Sequence, residues 1–315
     1  MKAGLVTGLR HFELVDVPEP APRDGVAVVD ISLCGICGTD VHGFLSREPY
    51  NPAICGHEWV GTVRALGPGV SGLHEGDRVV AAVARPCGRC DACRLGQSAW
   101  CTTAFMGMIG RDPLAPPHGG FSPRIAIAAD RLLRAHEGLT DEQAAMVEPT
   151  TVALHAVRRT PITAGDTVVV QGCGPIGLLT LQCARAAGAG HVVAVEPNPV
   201  RQELALSLGA DAAVAPGHTG GALPPSGADV VFECAGVPAT VQAAVDIVRR
   251  GGTVNLVGLA AGTATIVPGA WLLKEVTVVA SLGYLHHEFD LAMGLIADER
   301  VRVLPLHDST VALAD

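Results

Sequence analysis

Short apolar runs separated by glycine and proline fill the first half of the chain. The runs are GVAVVDISL, EWVGTVRALG, DRVVAAVA and FSPRIAIAADRLLRA. Their length and their apolar character are typical of strands, and the residues between them favour turns. This pattern predicts an antiparallel, barrel-like domain, which we place at residues 1–152.

The pattern changes after Glu148, where short apolar strands begin to alternate with helical segments. VALHAVRRT opens this region; the strands are DTVVVQG, VVAVE, DVVFECAG and TVNLVGL, and the later helices are LLTLQCARAAGA, VRQELALSLGA and ATVQAAVDIVRRGG. Apolar residues in the helical segments recur every three to four positions. Such alternation predicts an α/β domain with a parallel, doubly wound sheet, which we place at residues 153–285.

The last segment predicts a helix in HHEFDLAMGLIADERV and a short strand in VRVLPL. By chain order, we expect residues 286–315 to return to the first domain.

Composition and charge narrow the choice of partners. The chain has 315 residues, 49% of them hydrophobic and 17% charged, with a formal net charge of −9. This length and composition are typical of a two-domain globular protein. The negative charge disfavours nucleic acid and anionic membrane surfaces, and no apolar run reaches the roughly 18 residues of a membrane span. We expect a small-molecule substrate.

Four cysteines form the strongest single motif. Cys87, Cys90, Cys93 and Cys101 follow the pattern C-x2-C-x2-C-x7-C. Four thiolates in one short segment form a closed tetrahedral shell, so this spacing predicts a structural zinc lobe at about residues 85–103. A nucleic-acid-binding zinc ribbon has similar spacing, but the acidic chain argues against it. Clustered reduced cysteines and the lack of a signal-peptide pattern favour the cytoplasm.

A second candidate metal site is discontinuous. It consists of Cys37, His57, Glu58 and Glu148, which supply thiolate, imidazole and carboxylate, the three ligand types of zinc. Fewer than four protein ligands leave a position for an alcohol oxygen, whose proton zinc makes more acidic. Taken alone, a Cys, His or Glu is more often structural than metal-binding.

A glycine turn predicts the cofactor site. Gly172, Gly174 and Gly177 form GCGPIG between a strand and a helix, where backbone amides bind a pyrophosphate. Glu196 ends the next strand, where a carboxylate binds the adenosine ribose and repels a 2′-phosphate, which favours NAD over NADP. The alternative for Glu196 is a solvated charge at a strand end.

Several motifs together resemble the zinc-containing medium-chain alcohol and polyol dehydrogenase family over nearly the whole chain. They are GICGTDVH, GHEWVGTV, the four-cysteine lobe, HGGFS, VEPTTVALHAV, GCGPIG, VEPNPVRQELALSLGAD and RRGGTVNLVG. The resemblance implies a GroES-like β-barrel catalytic domain and a Rossmann domain, with the active site in the cleft between them. Glu148 favours the sorbitol and butanediol dehydrogenase branch. The family's final helix and strand are expected after residue 315, so we expect the returning segment to be truncated.

The resemblance also implies roles for individual residues. Cys37 and His57 correspond to catalytic zinc ligands, and Glu58 and Glu148 to positions that bind the metal directly or through water. Thr39 corresponds to the hydroxyl that takes the alcohol proton, His42 to the imidazole that passes it on, and Asp40 to the carboxylate that orients His57. Residues implied to contact the cofactor, besides the glycines and Glu196, are Pro175, Ile176, Arg201, Val257 and Leu259.

The sequence therefore predicts a zinc-dependent NAD-linked dehydrogenase that interconverts a secondary alcohol, diol or polyol and its ketone. We expect two zinc ions per chain and a homodimer or homotetramer. Two alternatives stay open: a zinc-independent quinone or enoyl reductase on the same fold, and a catalytically inactive NADH-binding protein.

Overall fold

The structure is a computed structural model that describes residues 1–111 and 114–314. The chain forms two compact units: the first comprises Met1–Glu148, Leu285–Ala297 and His307–Asp315, and the second comprises Pro149–Tyr284 and Asp298–Leu306. The expected domain boundaries stay a prediction, and Asp298–Leu306 belongs to the second unit although we expected all of 286–315 in the first. Within residues 1–111 and 114–314, no helix is both long enough and apolar enough to cross a membrane.

The first unit is built on antiparallel strands. Its described strands are β1 (Lys2–Gly8), β2 (His11–Asp16), β3 (Val26–Gly35), β4 (Glu58–Leu66), β5 (Arg78–Ala81), β6 (Arg124–Ala128) and β7 (Leu132–Arg134). β1 and β2 form a hairpin, and the other five form a sheet in the order β6-β3-β4-β5-β7. Alternate side chains, among them Val29, Trp59 and Ile125, are buried on one face of this sheet. The antiparallel first domain is confirmed.

Ten α-helices occur in the described part of the chain. They are α1 (Gly38–Leu45), α2 (Asp91–Arg94), α3 (Thr102–Met108), α4 (Asp141–Ala145), α5 (Val147–Arg158), α6 (Pro175–Ala186), α7 (Pro199–Ser207), α8 (Pro238–Ile247), α9 (Pro268–Lys274) and α10 (Glu288–Ala297). Short 3-10 turns lie at Pro52–Ile54, Ser98–Trp100, Ala129–Arg131, Thr219–Gly221 and Leu304–Leu306.

The second unit contains a parallel six-stranded sheet. Its strands are β8 (Thr167–Gln171), β9 (His191–Val195), β10 (Ala212–Val214), β11 (Ala228–Glu233), β12 (Val248–Leu256) and β13 (Thr277–Ala280). They pair in the order β10-β9-β8-β11-β12-β13, so the chain reverses direction across the sheet between β8 and β11. Ligands of such sheets bind at the carboxyl ends of the strands beside this reversal. The doubly wound fold is confirmed.

Two predicted elements are wrong in detail. The helix predicted over ATVQAAVDIVRRGG ends at Ile247, and Val248 begins β12 because it pairs with Ala228 of the neighbouring strand β11. The predicted strand VRVLPL is not formed: the Arg302 N–H donates to the Gln182 side chain at 2.7 Å, and a 3-10 turn follows.

Candidate metal and cofactor sites

The four cysteines of the predicted structural site converge. The Sγ atoms of Cys87, Cys90, Cys93 and Cys101 all lie within 4.8 Å of one another. Backbone amides point at the sulfurs, as where the Cys90 N–H donates to Cys87 Sγ at 3.4 Å. Such hydrogen bonds, of which the bond from the Arg89 backbone contributes most, lower the pKa of Cys87 to about 5. Desolvation raises the pKa of Cys93 to about 12. This arrangement fits a closed tetrahedral zinc site.

Cys37 lies where β3 ends and α1 begins. Its Sγ accepts a hydrogen bond from the Thr39 N–H at 3.4 Å, and its own N–H donates to Asp40 Oδ2 at 2.9 Å. These reciprocal bonds form a capping box that fixes the cysteine at the first turn of α1.

Strand pairing brings His57 and Glu58 to Cys37. Gly35, at the end of β3, pairs with Glu58, the first residue of β4. A Cβ at Gly35 would lie 2.6 Å from Glu58 Oε2, so only glycine leaves room for the carboxylate. One ligand atom each from Cys37, His57 and Glu58 lies within 4.8 Å of the other two. The antiparallel register therefore assembles three ligand types from residues 20 positions apart.

The orientation of His57 differs from our expectation. Its Nδ1 lies 2.9 Å from the Ile54 carbonyl oxygen. Because a carbonyl only accepts, Nδ1 carries the proton and Nε2 is the nitrogen available to a metal. The prediction that Asp40 orients His57 by direct contact is therefore wrong. Asp40 Oδ1 instead accepts hydrogen bonds from the Gly56 N–H at 3.0 Å and from the Tyr50 hydroxyl at 2.7 Å.

The charges around His57 favour a cation. Burial by itself would lower the pKa of His57, but contact with Cys37 and the charges of Glu148 and Glu58 raise it well above its usual range. Desolvation and the charge of Glu148 raise the pKa of Glu58, which is buried, to about 7. Acidic groups crowded in a poorly hydrated site repel one another unless a cation lies among them. The cluster therefore fits a zinc ion.

The structure does not test the roles predicted for Glu148, Thr39 and His42. Glu148 lies in the first turn of α5, half-buried and near enough to raise both pKa values by its charge. Thr39 is half-buried and His42 exposed, three residues apart on α1 and therefore on neighbouring positions of one helix face. Their predicted roles stay predictions.

In the second unit, the three glycines of the predicted phosphate turn occupy different surroundings. Gly172 follows β8 with φ +88°, a conformation that side chains rarely adopt. A Cβ at Gly177 would lie 1.8 Å from the Gly172 carbonyl oxygen, whereas a Cβ at Gly174 would meet no atom within 4 Å. Pro175 is exposed, Ile176 is half-buried, and both lie in the first turn of α6. The turn is therefore tightly packed at Gly177, and it leaves open space at Gly174.

Glu196 lies beside the same turn. It is only 4% exposed, and its carboxylate accepts from the Cys173 N–H at 2.7 Å and the Asn198 N–H at 3.0 Å. The acid therefore ties the glycine turn to the start of α7. Arg201 lies exposed in the first turn of α7, where Asn198 caps the helix. Contact of either residue with a cofactor stays a prediction.

The remaining predicted cofactor residues follow β12. Val257 is half-buried and Leu259 is 68% exposed. Val257 donates its N–H to the Glu233 carbonyl at the end of β11, at 2.9 Å. The predicted cofactor residues thus gather at the carboxyl ends of adjacent parallel strands, where this fold class binds ligands.

Two polar groups, the buried Glu233 and the half-buried Tyr50, were not singled out from the sequence. Glu233 is 1% exposed, and its Oε1 accepts from the Ala235 and Gly236 N–H groups and from the Thr240 hydroxyl. Tyr50 lies in an irregular loop. Neither residue has a spacing signal, since their contacts depend on the folded turn around them.

Comparison with known families agrees with this architecture. The "Alcohol dehydrogenase GroES-like domain" model matches residues 23–137, and the "Zinc-binding dehydrogenase" model matches residues 175–298. The (R,R)-butanediol dehydrogenase of Bacillus subtilis is 35% identical over 90% of this chain and 85% of its own. Its crystal structure superposes with a TM-score of 0.80 at 31% identity, covering 94% of this chain and 88% of that one.

Two further solved structures were determined with nicotinamide cofactors. A zinc-binding dehydrogenase from Sinorhizobium meliloti 1021, bound to NADP, has a TM-score of 0.83 at 28% identity and covers 98% of this chain and 96% of that chain. A short chain alcohol dehydrogenase from E. coli CFT073, complexed with NADH, has a TM-score of 0.83 at 25% identity and covers 97% of this chain and 90% of that chain.

The chain therefore belongs to the zinc-containing medium-chain alcohol and polyol dehydrogenase family. The resemblance predicted from its motifs is confirmed, and with it an oxidoreductase of the alcohol dehydrogenase class.

Proposed function

We propose that the chain is a zinc-dependent, NAD-linked dehydrogenase that interconverts a secondary alcohol, vicinal diol or polyol and the corresponding ketone. The observation that carries the proposal is the cluster of Cys37, His57 and Glu58, whose ligand atoms lie within 4.8 Å of one another in acidic surroundings. The butanediol dehydrogenase of Bacillus subtilis supports the choice of a diol or secondary alcohol.

The predicted site residues of the first unit have different chemical roles in this proposal. Cys37 Sγ and His57 Nε2 hold the catalytic zinc, and Glu58 and Glu148 bind it directly or through water. When bound, zinc supplies Lewis-acid polarisation of the alcohol oxygen, and NAD supplies the hydride acceptor. Thr39 Oγ1 takes the alcohol proton, and because a hydroxyl cannot retain it, the His42 imidazole passes it toward solvent. A second zinc, held by the four cysteines, stabilises its lobe.

NAD is the proposed cofactor rather than NADP. Glu196 directly follows β9 beside the glycine turn, and a carboxylate at this position of the fold accepts bonds from ribose hydroxyls and repels a 2′-phosphate.

We also propose a homodimer or homotetramer in a reducing, cytoplasmic compartment. β13 is the edge strand of the six-stranded sheet, and exposed apolar side chains lie on it and on the segments just before and after it in the chain: Leu272, Leu273, Val278 and Leu282. An exposed apolar sheet edge is a surface that proteins usually cover. The ten cysteines are unpaired, as a thiolate zinc lobe requires. Light scattering of the purified protein measures the oligomeric state.

A substrate panel tests the function. Alcohols, vicinal diols and sugar alcohols are supplied with NAD or NADP, with and without a zinc chelator, and NAD(P)H formation is followed. We expect NAD-dependent oxidation of a secondary alcohol or diol, lost after chelation and restored by zinc. Chelator-resistant reduction of an activated alkene would instead identify a zinc-independent reductase, and NADH binding without turnover would identify an inactive binding protein.

A further inference from the structure

A buried carboxylate connects the backbone around both predicted metal ligands of the Cys37–His57 pair. Asp40 is 4% exposed. Its Oδ2 accepts from the Cys37 N–H at 2.9 Å, and its Oδ1 accepts from the N–H of Gly56, the residue before His57, at 3.0 Å. One side chain thus holds the main chain at Cys37 and directly before His57, the two residues that would hold the metal.

Tyr50 completes this network of hydrogen bonds. Its hydroxyl donates to Asp40 Oδ1 at 2.7 Å and lies 3.5 Å from the Ile54 carbonyl oxygen. That carbonyl is the acceptor for His57 Nδ1. The hydroxyl therefore lies next to both groups that set the ligand geometry, the carboxylate behind Cys37 and the carbonyl behind His57.

The ring of the half-buried Tyr50 packs against α1. The ring lies against α1 where Gly43 leaves space, since a Cβ on Gly43 would lie 2.7 Å from two ring atoms. Burial and the charge of Asp40 raise the pKa of Tyr50, so the hydroxyl remains a neutral donor at physiological pH. A packed ring with a neutral hydroxyl donor is suited to orienting a buried carboxylate.

We propose that Tyr50 is a positioning residue which, through Asp40 and the Ile54 carbonyl, holds Cys37 and His57 at the separation and orientation that a metal ion requires. The proposal rests on the proposed metal site. Partners behind metal ligands typically change metal affinity by about 10- to 100-fold when they are removed. The loss of the Tyr50 hydroxyl should therefore weaken metal binding at Cys37 and His57 and leave the four-cysteine site unchanged.

The test is zinc release from Tyr50→Phe, which removes only the hydroxyl. Zinc-loaded wild type and variant are mixed with excess chromogenic chelator, and release is followed in time. The Cys37→Ser variant identifies the phase that belongs to the Cys37–His57 site. We expect that phase to become about 10- to 100-fold faster in Tyr50→Phe, with the four-cysteine phase unchanged as an internal control.

Two further variants make the result decisive. Tyr284→Phe removes the hydroxyl of the only other tyrosine and should release both zinc ions as the wild type does. Asp40→Asn should accelerate the same phase as Tyr50→Phe, and it replaces that variant if Tyr50→Phe does not fold. Unchanged release in Tyr50→Phe, or equal acceleration of both phases, would overturn the proposal. Wild-type protein that lacks a Cys37-dependent phase would instead refute the proposed metal site.

Discussion

Gly174 and Gly177 have different physical roles within one turn. At Gly177 a side chain would collide with the Gly172 carbonyl, whereas the space above Gly174 is open to a ligand. Gly174 also has an extended backbone (φ −70°, ψ −179°), which alanine adopts without strain. A side chain at Gly177 would therefore disturb the folded turn, whereas a side chain at Gly174 would exclude the cofactor. The two effects can be measured separately.

We predict that Gly174→Ala folds normally but binds NADH weakly, because its methyl group occupies the space of the pyrophosphate. Gly177→Ala should instead lower the thermal unfolding midpoint, since overpacking of this kind costs about 1–3 kcal/mol. Fluorescence titration with NADH and a thermal melt distinguish the two. Wild-type NADH affinity in Gly174→Ala would show that the cofactor does not approach this glycine.

Single residues were also the level at which the sequence was most informative about chemistry. Cys87, Cys90, Cys93 and Cys101 lie close together in sequence, so their spacing predicts a cluster without any knowledge of the fold. The contact of Asp40 was predicted wrongly and Tyr50 was not singled out, because their contacts with Gly56 and Ile54 depend on how a loop closes. A buried polar network has no period in the sequence.

At the level of elements, the pairing of β3 with β4 creates the candidate metal site. The register that places Gly35 opposite Glu58 brings Cys37 to His57, and no local pattern specifies that register. Regular alternation in the second half predicted the parallel sheet, since buried strands and amphipathic helices have different periods. The end of α8 was misplaced because its apolar spacing continues into β12.

A salt bridge joins three strands of the parallel sheet. Asp229, in β11, accepts from Arg249 of β12 at 2.6 Å and from the N–H of Thr167 of β8 at 2.8 Å. Partial burial would raise the pKa of Asp229, but the bonds from Arg249 and Thr167 outweigh it and lower the pKa below its ordinary value of 3.8. A lowered carboxyl pKa contributes stability above the unfolded-state pKa, and that contribution is lost as the pH falls through the folded-state pKa.

We therefore predict that Asp229→Asn lowers the free energy of unfolding at pH 7 by about 1 kcal/mol, a value reduced for solvent exposure of the pair. The difference from wild type should shrink below about pH 4. Denaturant unfolding between pH 3 and 7 measures this, with Asp298→Asn, at an exposed carboxylate, as the matched control. A difference that stays constant down to pH 3 would contradict the ionic origin of the effect.

At the scale of the whole molecule, two kinds of metal site distinguish a catalytic dehydrogenase from a scaffold that only binds a nucleotide. The four-cysteine cluster has a complete sulfur shell, whereas the Cys37 cluster combines three ligand types in acidic, poorly hydrated surroundings. A closed shell stabilises structure, and an incomplete protein shell admits a substrate. Alcohol oxidation is therefore expected to depend on the second cluster.

Zinc content and alcohol oxidation of Cys37→Ser, measured on the same preparation, test this claim most directly. Cys34→Ser is the matched control, since Cys34 lies just before Cys37 and its Sγ donates to the Gly35 carbonyl, as a serine hydroxyl can. We predict about two zinc ions per chain and full turnover in wild type and Cys34→Ser, and about one zinc ion with no turnover in Cys37→Ser. A Cys37→Ser protein that retains both zinc ions and oxidises alcohol would contradict the account.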